Sequence, residues 1–196
     1  MNMTELRESL AISTKKGVSF TLAALMIWIA IAIIYLTGMD VGTKNFIVFF
    51  AGGAMFPLSV LFSKLTGAQW NTNDHPLGPL GLILNIAQLM YFPIIFWAFS
   101  QAPERFILFY GIITMAHLFP YGWLYRSKAY YIIAPISSIA LVIFAGNSTE
   151  GTLWIAPLLV MVSLVLLNAG LLFEVATFKK TAPKNEVGSR PLKAVR

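Results

Sequence analysis

Six runs of mostly apolar residues, joined by short polar connections, divide this chain between residues 17 and 178. They fall at 17–37, 45–65, 79–100, 104–124, 128–146 and 152–178. A helix needs roughly 20 apolar residues to cross a hydrocarbon core, so each run is long enough to do so. Every run is continuous, without the in/out alternation of a barrel strand, and this selects helices. Composition agrees: of 196 residues, 58% are hydrophobic and 11% charged, whereas a soluble domain carries about 25% charged residues. Such a chain cannot cover itself with polar surface, so the bilayer must be its solvent. The expected fold class is all-α, a polytopic membrane helix bundle with six transmembrane helices.

The connections refine this. "QAPER" and "YRSK" leave only a few residues for the turns between spans three, four and five, which should be antiparallel neighbours. Twelve basic residues fall on the side that holds both termini, including Arg7, Lys15, Lys16, Lys64, Arg126 and Lys128; only Lys44 and Arg105 fall opposite. By the positive-inside rule, both the N- and C-termini are expected in the cytoplasm. The domain reading is a leader over 1–16, a transmembrane domain over 17–178 and a basic, disordered tail over 179–196. The leader is long, contains two glutamates and precedes a run longer than a secretory apolar region, so the first span reads as a retained anchor. Within the leader, Thr4 is the expected cap of a short interfacial helix that carries Leu6 and Leu10 on one face.

In lipid the informative residues are the polar ones. Span three carries Asn85 and Gln88 on one helical face, and span six carries Asn168. Span four carries Tyr110, Thr114, His117 and Tyr121, whose spacings of 4, 3 and 4 place them on one stripe. His117 lies nine residues from Arg126, or ~13 Å along a helix. Asn85 and Asn168 fall at a similar depth, so a polar layer is expected in the inner half of the membrane. The candidate ligand-binding residues are therefore His117, Asn85, Gln88, Asn168, Tyr121 and Thr114, with Asn85 or Gln88 in reach of His117. Pro57, Pro93, Pro120 and Pro135 each free a backbone carbonyl one turn upstream, and Pro120 would bend span four beside His117. The plainer alternative is that His117 is an interhelical hydrogen bond, that Tyr121, Trp123 and Tyr125 form an interfacial aromatic belt, and that Glu174 snorkels to water. Asp74 and His75 read as a solvated turn. "FPLS" in span two and "APIS" in span five share Pro-x-Ser, and Asn85 and Asn168 also correspond, as a three-plus-three inverted repeat would require.

The chain has no cysteine and two histidines, so disulfides, thiolate metal sites and a zinc centre are not expected. No phosphate loop, metalloprotease pair or nucleophile elbow is present. No catalytic residue, metal or cofactor is assigned, and Ser59, Ser137 and Ser138 make a poor case for a lipid-acting enzyme. The net charge of +6 sits in caps and a tail, which suits a membrane rather than nucleic acid.

The runs "AQLMYFPIIFWA" and "AHLFPYGWLYRSKAY" resemble an uncharacterised family of small bacterial multi-pass membrane proteins. The resemblance extends from "KKG" before span one, through "SK" after span two, to span five. It implies a bacterial inner-membrane protein and no chemistry. The leading expectation is a bundle that binds or transports a small solute through the His117 layer, coupled to protons. The alternative is a non-transporting module: a sensor, an assembly subunit or a lipid-interacting protein. Expected partners are the bilayer, an anionic lipid or cytoplasmic protein at the basic tail, and a second copy in a homodimer.

Overall fold

The computed structural model describes residues 2–181, and side chains through residue 177. The described residues form helices and their connecting turns, with no strand among them. A short helix, α1 (Met3–Ser13), precedes six spans. The first is α2 (Val18–Leu36). The second is α3 (Val41–Ala51) followed by α4 (Met55–Thr66), and the third is α5 (Gly78–Ala87) followed by α6 (Phe92–Gln101). The fourth is α7 (Pro103–Ala116) with α8 (Phe119–Leu124); α9 (Lys128–Asn147) and α10 (Ile155–Thr181) complete the bundle. All six are long and apolar enough to cross a membrane. α10 continues to Thr181, so the expected tail begins as helix; from residue 182 it lies outside the described residues.

Proline chemistry explains why three spans come in two pieces. A proline lacks the N–H of its helical bond, and its ring clashes with the carbonyl four residues earlier. For Pro57 that carbonyl belongs to Gly53, inside the tight turn Gly52–Ala54. For Pro93 it belongs to Leu89, inside the tight turn Gln88–Tyr91. For Pro120 it belongs to Ala116, the last residue of α7, with His117 as the C-cap. α9 instead runs unbroken past Pro135. The two halves of the expected inverted repeat therefore differ locally.

The first and fourth spans lie deepest, with 56% and 50% of their apolar windows buried against 11% in the third. α2 packs on α10 and α4, and α7 packs on α9, α6 and α10. The expected neighbour relation of spans three, four and five holds. Gly111 allows the central approach: a Cβ there would stand 3.1 Å from Val160 and 3.3 Å from Leu141. Around it Trp28, Ile31, Phe106, Ile107 and Leu164 fill the centre with apolar side chains. Spans two and three turn Phe46, Phe50, Ile83, Met90 and Phe96 outward, as a lipid-facing flank would.

The two ends differ in charge. Arg7, Lys15, Lys16, Lys64, Arg126 and Lys128 lie at the end where α2 begins, which we call the basic end. At the opposite end, Asn45 is fully buried. It accepts from the Tyr35 hydroxyl at 2.5 Å and donates to the Pro103 carbonyl at 2.7 Å, tying spans one, two and four together.

Candidate functional site

The basic end is organised by α1. Asn2, not Thr4, caps this helix: its side-chain oxygen accepts the Glu5 N–H at 2.9 Å, and the Glu5 carboxylate accepts the Asn2 N–H at 3.0 Å. Asn2 takes the role because the reciprocal box needs an acidic residue three positions on. Leu10 and Ala11 are buried against the bundle, and Leu6 is half-buried beside them.

Polar contacts fix α1 along its length. Arg7 Nε donates to the Trp123 carbonyl at 2.7 Å, and the guanidinium stands 4.3 Å from the Trp123 ring centre. Arg126 pairs with Glu8. His75 Nδ1 accepts the Leu77 N–H at 3.1 Å, which leaves its proton on Nε2, 2.8 Å from Ser9 Oγ. Burial holds the His75 imidazole below its usual range. His75 is thus a docking residue and not part of a solvated turn. The Gln69 N–H donates to the Ser13 carbonyl at 2.8 Å, and Lys15 Nζ caps the Thr66 carbonyl at the end of α4.

Between α1 and α2 the chain makes an uncommon turn. Lys15, Lys16 and Gly17 have φ values of 49°, 56° and 76°, three successive left-handed residues. For the two lysines this costs about 1–2 kcal/mol each, which the surrounding contacts must offset. Glycine is required at the third position, because a Cβ there would stand 2.9 Å from the Tyr125 ring. The turn buries Lys16 and brings its Nζ to 2.8 Å from Glu174 Oε2 and 3.1 Å from the Arg126 carbonyl. Glu174 Oε1 accepts the Ala129 N–H at 3.0 Å, and the Tyr130 hydroxyl donates to the Lys16 carbonyl at 3.0 Å. Glu174 therefore clamps α10 to α9 and to the turn instead of snorkelling.

Two layers lie next to this clamp. Tyr121, Tyr125 and Tyr130 form a buried ring cluster with centroids 5.8 to 6.2 Å apart. Of the expected aromatic belt, only Trp123 is exposed, and it carries Arg7. Further along α2, Thr21 Oγ1 donates to Asn168 Oδ1 at 2.7 Å, while Asn168 Nδ2 donates to the Thr21 and Leu164 carbonyls.

A cavity of about 180 Å³ opens beneath α1. Its polar wall is Glu8, Lys15, Lys16 and Arg126, and its apolar wall is Ala11, Ile12, Tyr125 and Val175. A second cavity, about 220 Å³, lies at the opposite end beside Tyr35, Lys44, Glu150 and Trp154.

The expected His117 layer is not one cluster. His117 Nδ1 faces its own Ile113 carbonyl at 3.3 Å, and its ring meets Tyr121 edge-on at 6.2 Å. Thr114 donates to the Tyr110 carbonyl at 2.7 Å and Asn85 to the Gly81 carbonyl at 3.1 Å, each within its own helix. Among the described residues, no hydrogen bond joins Asn85 or Gln88 to His117. Asn168 reaches span one instead. Tyr121 Oη is buried without a hydrogen-bond partner among the described residues. Asn45 and Thr21 were not among the expected site residues, and Lys16 entered only as one of the basic residues that set the orientation. A signal for Lys16 was available: it opens the first span at the same end as Glu174 closes the sixth.

The fold and its basic end define a helical bundle with the make-up of a multi-pass membrane protein, carrying an extra helix docked on one end. Residues 3–174 match DUF7010, a family of unknown function, and the chain belongs to that family. No curated protein and no solved structure matches it.

Proposed function

We infer that the protein is a non-transporting, lipid-interacting module of a bacterial inner membrane, with its basic end in the cytoplasm. The observation that carries this reading is the cavity beneath α1, whose polar wall of Lys15, Lys16, Arg126 and Glu8 faces an apolar wall at the level where the spans begin. Basic groups beside an anionic leaflet gain ~1 kcal/mol each, and the two-sided charge count favours this end facing that leaflet. The apolar filling of the bundle centre supports a module that works at its end rather than through its middle.

A second reading, a proton-coupled solute site around His117, is favoured by one observation. Tyr121 Oη is buried without a hydrogen-bond partner among the described residues, and its ring meets His117 edge-on. One reconstitution separates the two. The full-length protein is placed in sealed vesicles with increasing anionic lipid, and thermal stability and proton flux are both recorded. The lipid reading expects stability to rise with the anionic fraction and flux to stay at background. A flux that His117→Gln abolishes would replace it with the solute reading.

A further inference from the structure

We propose that the cavity beneath α1 binds one anionic phosphodiester lipid, with Lys15 on the phosphate and an acyl chain leaving past Ile12 and Val175. This rests on the lipid-interacting reading above and names the ligand within it. Charge comes first. Glu8, Lys15, Lys16 and Arg126 line the cavity. Arg126 is paired with Glu8, and Lys16 with Glu174. Lys15 is then the one lining cation with no carboxylate partner among the described residues; its ammonium rests on the Thr66 carbonyl, which leaves donors to spare. One uncancelled positive charge matches the single negative charge of a phosphodiester better than the two of a phosphomonoester.

Shape and surroundings select an amphiphile. Pockets for drug-sized ligands run to about 300–1,000 Å³, so a cavity of about 180 Å³ holds a headgroup and not a whole lipid. The rest of the molecule must leave along an apolar surface. Ile12 is exposed at the rim, and Val175 lies three residues from Leu172, which is exposed on the outer flank of α10. The cavity therefore continues into the lipid-facing side of the bundle. A free anion would have no use for that wall.

The test uses full-length, delipidated protein in neutral detergent and reads the melting temperature against added ligand. The ligands are short-chain phosphatidylglycerol, phosphatidylcholine of the same chain length, and inorganic phosphate. Phosphatidylglycerol should stabilise the wild type saturably, and the other two should do so at least about tenfold more weakly. Lys15→Gln should weaken phosphatidylglycerol about tenfold, and Lys15→Arg should restore it. Lys128→Gln, which removes a charge from the same end away from the cavity, should leave it unchanged. Val175→Asp alters the apolar wall without touching the Thr66 contact and should also weaken binding, so the test survives poor folding of Lys15→Gln. Inorganic phosphate equal to phosphatidylglycerol would make this a free-anion site and overturn the proposal, as would phosphatidylcholine equal to it. Equal stabilisation of every variant would overturn the site while leaving the lipid-interacting reading in place. No stabilisation of the wild type by anionic lipid would remove both.

Discussion

Replacing Glu174 by glutamine keeps the shape of the side chain and removes the charge that Lys16 meets at 2.8 Å. The side chains of Lys16 and Glu174 are 10% and 21% exposed, so the pair is mostly withdrawn from water. Removing one partner of a fully buried pair costs about 3–5 kcal/mol, because the other charge is left uncompensated. The residual exposure and the Arg126 carbonyl, which still accepts from Lys16, reduce this to about 2–3 kcal/mol by the same reasoning. Lys16→Met alone should cost less than this, because Glu174 keeps the Ala129 N–H and a route to water. In Lys16→Met/Glu174→Gln the lone buried charge is gone, so the double variant should be more stable than Glu174→Gln itself. Unfolding by SDS titration in mixed micelles measures all three against the wild type. A Glu174→Gln cost below about 0.5 kcal/mol, the range of an ordinary surface change, would refute the clamp.

Four further outcomes follow from the same geometry. Gly17→Ala forces a Cβ into a left-handed residue against the Tyr125 ring; it should cost about 2 kcal/mol or more, read by thermal unfolding. Thr21→Val removes the hydroxyl bond to Asn168 Oδ1, leaving the Asn168 bond to the Thr21 carbonyl, and should cost about 0.6 kcal/mol and no more than about 1.7, the average and the maximum for interhelical hydrogen bonds in lipid. His117→Gln should change stability by less than about 0.6 kcal/mol, since among the described residues its ring bonds only its own helix. His75 is half-buried against α1, and this partial desolvation lowers its pKa, so its contribution is complete above about pH 6.5 and is lost as pH falls below it. Hydrogen exchange of the α1 amides should therefore quicken at acid pH in the wild type and lose that dependence in His75→Gln.

The spans were legible because bilayer thickness sets their length, and each expected range overlaps its observed helix closely. The breaks were legible at Pro120 and, by the same rule, explain Pro57 and Pro93. The polar layer was not legible, for a physical reason. Thr114, His117 and Asn85 each have a carbonyl one turn back within reach, and in an apolar solvent that local acceptor satisfies them without a second helix. Equal depth therefore did not imply contact. The basic-end site depends on partners as distant as Lys16 and Glu174 and on a left-handed turn that only Gly17 hints at. Periodicity carries no information about such pairings.

The most direct test of the account is whether α1 is docked on the basic end in a bilayer. The chain has no cysteine, so spin labels at Thr4→Cys and Ala176→Cys, both exposed positions, report α1 against α10 without background. The account predicts one narrow distance distribution in vesicles containing anionic lipid, broadened by Arg7→Gln with Glu8→Gln. A broad distribution that neither anionic lipid nor those substitutions alter would mean that α1 is not docked, and that the basic end is not a built site.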